Sequence, residues 1–439
     1  MIAMSAAGDF NVMMGLLALL PLVVYIILVF RDADPIPVTI ICLLVGMIVS
    51  GQGPIKLGES IVKAMGSFLA VIGLIIMLGR GLGEVMTATK VSHTLVYKIV
   101  YGIGINTQKK AMLGIGASCF TLIALLGTMA GGNAILAPIV IPIAASVGLS
   151  RSTVGTIFDT VGEEALIVGP FTPPVITLLG LTGIAYAPML LFVALPFVAA
   201  TMIITWFNLQ KIQRETELTN PYDQQDKVEA FEPTPQSNRA TIVFVVMFIF
   251  AILYGIFKQA GTSFIVIIML SLSLATGFAG GMNMKEICRH IVKGMAGNVN
   301  LFFLFVLLEP FLGFVEAGGG FKALAVLLQP IADMGGKAGV VLTGGLIGAF
   351  GISGAAVAQL KVMHSMFGSM ITQQGISMFA WAAALIVGSR VTSFIYPGPN
   401  MFGAVGFAQS DDIKAVLRNG WMVSTAHCII LVIYAVVFA

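Results

Sequence analysis

The sequence predicts an all-α polytopic membrane protein built from two inverted repeats. Apolar stretches of about twenty residues, the length that crosses a hydrocarbon core of roughly 30 Å, recur from end to end. Only 10% of the 439 residues are charged and 58% are hydrophobic, whereas a soluble domain carries about 25% charged residues. Such a composition excludes a nuclease, a cytosolic enzyme and a nucleic-acid-binding module, so we expect a lipid bilayer and no nucleic acid as the partner.

One hydrophilic linker, residues 210–239, separates a first repeat (1–209) from a second repeat (240–439). The segments predicted for the first repeat are 12–30, 36–52, 66–86, a Gly-broken segment 111–147, a second broken segment 154–182, and 186–208. Those of the second repeat are 240–257, 261–281, 297–317, a broken segment 338–370, another at 379–406, and 419–438. The order of segment types is therefore the same in both halves.

Short identities between the halves support a duplication. Ile61-Val62-Lys63 with Met65 recurs as Ile291-Val292-Lys293 with Met295, and the run at 165–169 recurs at 384–388. The segments 111–147 and 338–370 are too long for one crossing at about 1.5 Å per residue, so each predicts a re-entrant hairpin or two short crossings. Five other spans per half then remain, and one of them in each half is a broken helix. Because five is an odd number, the second repeat is predicted to be inverted, which gives about ten full spans and two hairpins.

The charges of the loops predict the orientation of the chain. With the N-terminus outside, 15 Lys and Arg residues fall in inner loops and 5 in outer loops. Cytoplasmic loops carry such an excess of positive charge. We therefore expect both termini outside the cytoplasm, in a multi-pass protein of a bacterial-type inner membrane. Residues 1–10 contain no Lys or Arg, so the first apolar run is interpreted as a retained span rather than a cleaved signal.

The four broken segments are the predicted binding region, because a helix can lose backbone hydrogen bonds at membrane depth only beside protein or a water-filled cavity. Half-helix ends there offer free amides to anions and free carbonyls to Na⁺. Gly and Pro could instead serve only close packing and kinks. The candidate substrate contacts at the breaks and beside them are Thr128, Gly131, Gly132, Asn133, Thr172, Pro173, Ser353, Gly354, Arg390, Thr392, Ser393 and Asn400.

Ionisable residues inside spans are functional candidates by default. Asp159 and Glu163 lie four residues apart before the first break and suit proton or Na⁺ handling, or they pair with Arg151 at the membrane boundary. Glu164 points elsewhere on an ideal helix and is interpreted as a boundary charge. Glu309 is a third coupling candidate, with a buried ion pair to Lys361 as the alternative.

Two arginines require separate interpretations. Arg390 precedes Thr392-Ser393 and could hold a substrate carboxylate through two parallel hydrogen bonds. A structural salt bridge from Arg390 to Glu309 or Asp159 is the alternative. Arg80 and Glu84 lie four residues apart and are expected to pair with each other. The four cysteines have no C-x-x-C spacing, so we expect neither disulfides nor a metal site, and no cofactor beyond a coupling ion.

The arrangement resembles the ion transporter superfamily, which includes gluconate permeases, dicarboxylate and citrate carriers and some sodium/proton antiporters. The local likeness to gluconate permeases lies in the Pro-rich stretch Phe171-Thr172-Pro173-Pro174. The resemblance implies a substrate site between hairpin tips and broken helices, secondary transport, and a homodimer. Neither break carries the Ser-Asn-Thr triplet of sodium-coupled dicarboxylate carriers, so the coupling ion and the substrate stay open.

The sequence therefore predicts a secondary active transporter, and no enzyme. The expected cargo is a small organic anion such as a carboxylate or sugar acid, moved by symport with H⁺ or Na⁺. Hairpins and broken helices would move against a scaffold of intact spans, as in an elevator. The alternative is a monovalent cation/proton antiporter, in which the carboxylates bind the transported ion and Arg390 is structural. An ion channel suits broken helices in inverted halves less well.

Overall fold

The computed structural model describes residues 12–30, 33–104, 106–222, 231–258, 262–348 and 356–439. Within these ranges the regular structure is helical, and the one β feature is an isolated bridge between Ser150 and Pro221. Eight helices are long and apolar enough to cross a membrane, and four shorter apolar helices accompany them. The predicted all-α polytopic fold class is confirmed.

The first half begins with two short helices and ends with a long one. Its helices are α1 (Val12–Ala18), α2 (Leu20–Phe30), α3 (Pro35–Val49), α4 (Pro54–Ala64), α5 (Phe68–Ala88), α6 (Val91–Ile103), α7 (Gln108–Leu126), α8 (Met129–Ser146), α9 (Arg151–Thr156), α10 (Gly162–Ala165), α11 (Pro173–Thr182), α12 (Tyr186–Met189) and α13 (Leu195–Thr216). Two π-helical segments, Ile157–Val161 and Leu190–Ala194, join α9 to α10 and α12 to α13.

The second half repeats this order with fewer interruptions. Its helices are α14 (Pro235–Lys258), α15 (Thr262–Ala279), α16 (Met284–Ala296), α17 (Val299–Ala317), α18 (Gly320–Gly348), α19 (Ala356–Gln374), α20 (Met378–Ile395), α21 (Pro399–Phe407) and α22 (Ile413–Val437). Gly336 divides α18, because its positive φ of 55° is a conformation that glycine adopts without steric cost. The second hairpin thus consists of the part of α18 after Gly336 together with α19.

Contacts between the halves occur in exchanged pairs. Helix α3 packs on α17 as α15 packs on α5, and α5 packs on α16 as α17 packs on α4. The hairpin arms follow the same rule, since α8 contacts α21 and α19 contacts α11. Such reciprocity is what a two-fold axis between two equivalent units produces. It agrees with the inverted repeat that the parity of the spans predicts.

The local identities are only partly equivalent in the fold. Residues 61–65 and 291–295 lie at the ends of α4 and α16, which occupy equivalent places. The repeated run is different, because residues 165–169 end a broken helix whereas residues 384–388 lie inside intact α20. That second identity therefore does not mark structurally equivalent positions.

The structure also contains helices that the apolar pattern did not reveal. Charged residues interrupt α4 and α16, and α6 and the first part of α18 lie outside the predicted spans. Helix α13 continues to Thr216 and α14 begins at Pro235. Both helices thus extend into the predicted linker, of which residues 223–230 lie outside the described ranges.

The orientation of the chain is tested by labelling. In a background without native cysteines, Glu217→Cys in the linker should react only with membrane-permeant thiol reagents. Ala439→Cys should react with impermeant reagents added to intact cells, because the loop charges place the C-terminus outside. Equal labelling of the two sites by an impermeant reagent would contradict the predicted topology.

Candidate functional site

The first broken helix carries three buried carboxylates. Asp159 lies in the π-helical segment Ile157–Val161, and Glu163 and Glu164 follow in α10. A π-helical turn bonds residue i to i+5 rather than i+4, so it shifts the residues that follow around the helix axis. Every residue from Ser152 to Ile167 is buried, so Glu164 is enclosed together with Glu163, and the exposed fractions of Asp159, Glu163 and Glu164 are 1%, 1% and 0%. The interpretation of Glu164 as a boundary charge was wrong.

An ion pair between Glu163 and Arg390 joins the two halves of the chain. Nη1 of Arg390, on α20, donates to Oε2 of Glu163 and also to its backbone carbonyl at 3.0 Å. Nδ2 of Asn400, on α21, donates to the other carboxylate oxygen at 2.8 Å. Arg390 therefore has a structural partner, although it is neither of the two carboxylates that the sequence suggested.

Glu164 belongs to a second polar group formed with α13 and α22. Its Oε1 accepts a hydrogen bond from the hydroxyl of Thr201 at 3.1 Å and lies 3.7 Å from Nε2 of His427. The same hydroxyl is 2.8 Å from Nε2 of His427. The ring of His427 packs edge-on against Phe197 and Phe394, so this group lies in an apolar, fully buried setting.

The buried carboxylates outnumber the buried guanidinium. Glu163 is compensated by Arg390, but neither oxygen of Asp159 has a hydrogen-bond partner among the described residues, and Oε2 of Glu164 has none either. An unpaired buried charge costs several kcal/mol. A cluster of this composition can therefore hold added cations. Among the described residues, no group of three or more His, Cys, Asp or Glu side chains is placed to hold a single metal ion.

A small pocket lies where the first hairpin meets the first break. The tip turns at Gly127, whose φ of 68° favours glycine, and a Cβ there would lie 3.3 Å from Cδ of Pro173. Thr128 begins α8 without a side-chain hydrogen bond to the first turn. The pocket has a volume of about 10 Å³ and is lined by Thr128, Pro173, Arg80 and Asn298, among others.

Arg80 supplies the charge of this tip pocket. It lies on α5 and donates through Nη1 to the carbonyl of Gly297 at 3.3 Å and to Oδ1 of Asn298 at 3.2 Å. Its expected pairing with Glu84 is not formed, because Glu84 instead lies 3.0 Å from Nζ of Lys293. The pocket thus combines an exposed guanidinium with the N-terminal amides of α8, which carry a partial positive charge.

Several predicted contact residues of the first half bond to the protein itself. Asn133 is buried and donates to the carbonyl of Phe158 at 3.4 Å, inside the π-helical segment. The hydroxyl of Thr172 donates to the carbonyls of Leu166 and Gly169 across the break. A Cβ at Gly132 would meet Ile123 at 2.5 Å, and one at Gly131 would meet the side chain of Thr128 at 2.8 Å.

In the second half, polar side chains of the hairpin and of the broken helix also bond to backbone carbonyls of the protein. Nε2 of Gln359, on α19, donates to the carbonyl of Gly388 at 2.9 Å and to Thr392 at 3.2 Å. Thr392 donates to the carbonyls of Gly348 and Gly388, each at 3.0 Å, and Ser393 to that of Ser389 at 3.5 Å. An amide from each hairpin's outgoing helix therefore binds a carbonyl of the broken helix in the same half. Ser353 and Gly354, predicted at the second tip, lie outside the described residues.

Glu309 lies apart from the cluster. Its Oε2 is 3.9 Å from Nζ of Lys361, and the two side chains are 34% and 22% exposed. This is the ion pair that the sequence allowed as an alternative to a coupling role. Arg151, considered as a partner for Asp159, donates to the carbonyls of Pro221 and Gln409.

No protein-family model matches the chain, and no curated protein matches it. Among solved structures, it is similar to the crystal structure of the Alcanivorax borkumensis YdaH transporter, described as having an unusual topology. The two share 16% sequence identity with a TM-score of 0.64, over 86% of this chain and 88% of the other. The chain has a membrane-transporter fold.

Sequence reasoning missed His427, Thr201 and Asn298, and it gave Glu164 and Arg80 other partners or roles than the structure does. Arg80 could have been recognised as an arginine in an apolar span close to a predicted hairpin. Thr201 and His427 carry no local signal, because each lies in an otherwise ordinary apolar helix. Their proximity to Glu164 depends on the packing of α13 against α22.

The Glu163–Arg390 pair is tested by a double-mutant cycle. Arg390→Gln should destabilise the folded protein by about 3–5 kcal/mol, because it leaves a buried carboxylate without its counter-charge. The double variant Glu163→Gln/Arg390→Gln should be more stable than Arg390→Gln, since neither charge remains. The measurement is unfolding of the purified variants in one detergent.

The exposed pair Lys56–Glu59, at 3.1 Å, gives the matched control. Lys56→Gln should change stability by no more than about 1 kcal/mol, as surface ion pairs do. If the losses of Glu163→Gln and Arg390→Gln simply add in the double variant, the two side chains do not interact in the folded protein.

Proposed function

We propose that this transporter is a secondary active symporter of a small organic anion, such as a carboxylate or sugar acid, driven by H⁺ or Na⁺. The observation that carries the proposal is the tip pocket, where Arg80 and the N-terminus of α8 face the same small cleft. Positive partial charge and a guanidinium together favour a carboxylate. The cleft measures about 10 Å³, which is room for about one water molecule, so the proposal requires the hairpin tip to open when the anion binds.

In this proposal, the role of each residue follows from how exposed its side chain is. Arg80 and Thr128 contact the anion, with Pro173 and Phe171 forming the apolar wall of the pocket. Ser353 and Gly354 of the second tip remain candidates for its other side. Arg390 is a positioning residue rather than a substrate contact, because it is 1% exposed and already paired with Glu163. Coupling cations bind at the buried carboxylates around Asp159.

The proposed movement separates two groups of helices. Helices α3, α5, α15 and α17 pack on one another in exchanged pairs and form the scaffold. The hairpins and broken helices, joined by the Glu163–Arg390 pair, move against it as one unit, and two copies of the chain form a homodimer through their scaffolds. The paired Gly- and Pro-rich breaks support membership of the ion transporter superfamily.

A cation/proton antiporter is the second candidate, and a specific observation favours it. The cluster contains three buried carboxylates and one guanidinium, and that guanidinium is fully engaged by Glu163. An antiporter needs such a cation site and no anion pocket. The two candidates therefore differ in whether an organic anion binds at all.

Ligand-dependent thermal stabilisation of purified protein separates the candidates. A panel of carboxylates and sugar acids is screened with and without Na⁺, because a ligand that binds the native state raises its stability by mass action. A hit among the anions supports the symporter. A response to Na⁺ or pH alone, with no anion active, supports the antiporter.

For an anion found in that screen, Arg80→Gln should raise Kd by about tenfold or more, since a hydrogen bond to a charged group contributes about 1.5–3 kcal/mol. Arg289→Gln on exposed α16 removes a similar charge outside the pocket and should leave Kd unchanged. Arg390→Lys should lower the melting temperature and leave the Kd of the folded protein largely unaltered. Unchanged affinity in Arg80→Gln would remove the tip pocket as the anion site.

A further inference from the structure

We infer that the carboxylate cluster binds two protons at separate positions, one on Asp159 and one on Glu164, so that two protons accompany each transport cycle. The inference rests on the proposed cation-coupled transport and assigns its coupling ion, the two residues and the stoichiometry. Two observations support it. The cluster contains more carboxylates than guanidinium groups, and among the described residues both oxygens of Asp159 and Oε2 of Glu164 have no hydrogen-bond partner.

The first step is the neutral pair at the centre of the cluster. Glu163 accepts hydrogen bonds from Arg390 and Asn400, and both members of the ion pair are 1% exposed. A carboxylate held by a guanidinium and an amide is stable as an anion. The pair therefore contributes no net charge and leaves no positive charge to balance the other two carboxylates.

The second step concerns Asp159. It is 1% exposed, and neither of its oxygens has a hydrogen-bond partner among the described residues. The titratable and charged groups that act on it are Glu163, Arg390 and the thiol of Cys119 on α7. With Arg390 paired to Glu163, an anionic Asp159 would be a buried charge without compensation. A bound proton removes that charge.

The third step concerns Glu164, which is 0% exposed. The groups that act on it are Thr201 on α13, His427 on α22, and Glu163 with Arg390. The Thr201 hydroxyl bridges Oε1 of Glu164 at 3.1 Å and Nε2 of His427 at 2.8 Å, and either the hydroxyl or the ring nitrogen can donate in the second contact. His427, Thr201 and Glu164 thus form a continuous hydrogen-bonded path along which a proton can pass to the carboxylate.

Protons fit these positions better than Na⁺. Hard cations take several oxygen ligands that converge on one point, whereas Asp159 has no hydrogen-bond partner in the described part of the chain and Glu164 has the Thr201 hydroxyl and His427. Among the described residues no three His, Cys, Asp or Glu side chains converge on a metal position. Single-atom acceptors in an apolar setting are sites for protons.

Infrared spectroscopy of the purified protein tests the inference without a substrate. At neutral pH the wild type should show the C=O stretch of two buried protonated carboxyl groups, each shifting slightly in D₂O. Asp159→Asn should remove one band and Glu164→Gln the other. Glu309→Gln, which lies apart from the cluster, is the matched control and should remove none. A wild-type spectrum with one such band or none overturns the inference.

Transport in proteoliposomes provides a second readout, with gluconate as the sugar-acid probe. The ratio of protons to gluconate, from a pH-sensitive dye and radiolabelled uptake, should be two and should fall to one in Glu164→Gln. A wild-type ratio of one would overturn the stoichiometry. If gluconate is not moved, the symport proposal fails for this anion, while the infrared bands still decide whether the two protons are bound.

Discussion

The membrane forbids unsatisfied backbone groups, and the architecture of this protein follows from how that constraint is met at two interrupted helices. Each interruption frees carbonyls at a depth where water is scarce. In the first half Thr172, Tyr186 and Asn133 donate to freed or π-helical carbonyls. In the second half Gln359 donates to the carbonyl of Gly388 within α20, and Thr392 donates to that of Gly348 at the end of α18. These bonds hold the broken helices beside the hairpins.

The two polar regions of the protein have different characters because of where they lie. The carboxylate cluster is enclosed by α10, α13, α20 and α22, and its side chains are almost fully buried. The tip pocket lies between the hairpin and α5, and Arg80 on its wall is exposed. A closed region suits a proton, which needs only one acceptor atom. The tip pocket, with an exposed guanidinium on its wall, is the proposed position of the anion.

Local signals explain what the sequence allowed us to predict. Gly127, the Pro pair at 173–174 and Pro397–Pro399 mark turns and interruptions through their own backbone preferences, so the hairpin and both breaks fell close to the predicted positions. The ion-pair partner of each buried charge was less predictable from the sequence, because Glu163 and Arg390 are 227 residues apart. The helices α4 and α16 were missed because their charged residues interrupt the apolar run.

The burial of Glu164 was unpredictable for a different reason. Every residue from Ser152 to Ile167 is buried, so Glu164 is enclosed by the helices packed around the whole stretch, which includes the π-helical segment Ile157–Val161. The segment has no distinctive residue that marks it in the sequence. Arg80 was visible but was matched to Glu84 by spacing, whereas the contact with Asn298 depends on the packing of α5 against α17.

The separation between Glu163 and Arg390 also determines the order in which the chain can mature during synthesis. The helix from Arg151 to Ala165 emerges from the ribosome with three acidic residues, each costing about 2.5–3.5 kcal/mol at the centre of a bilayer. Its counter-charge is translated 227 residues later. Until α20 has been synthesised, the acidic residues of the first broken helix lack their counter-charge, and the helix is unstable in the bilayer. The N-terminal half is therefore an incomplete membrane domain. Its broken helix can be stably inserted only after the C-terminal half has been synthesised.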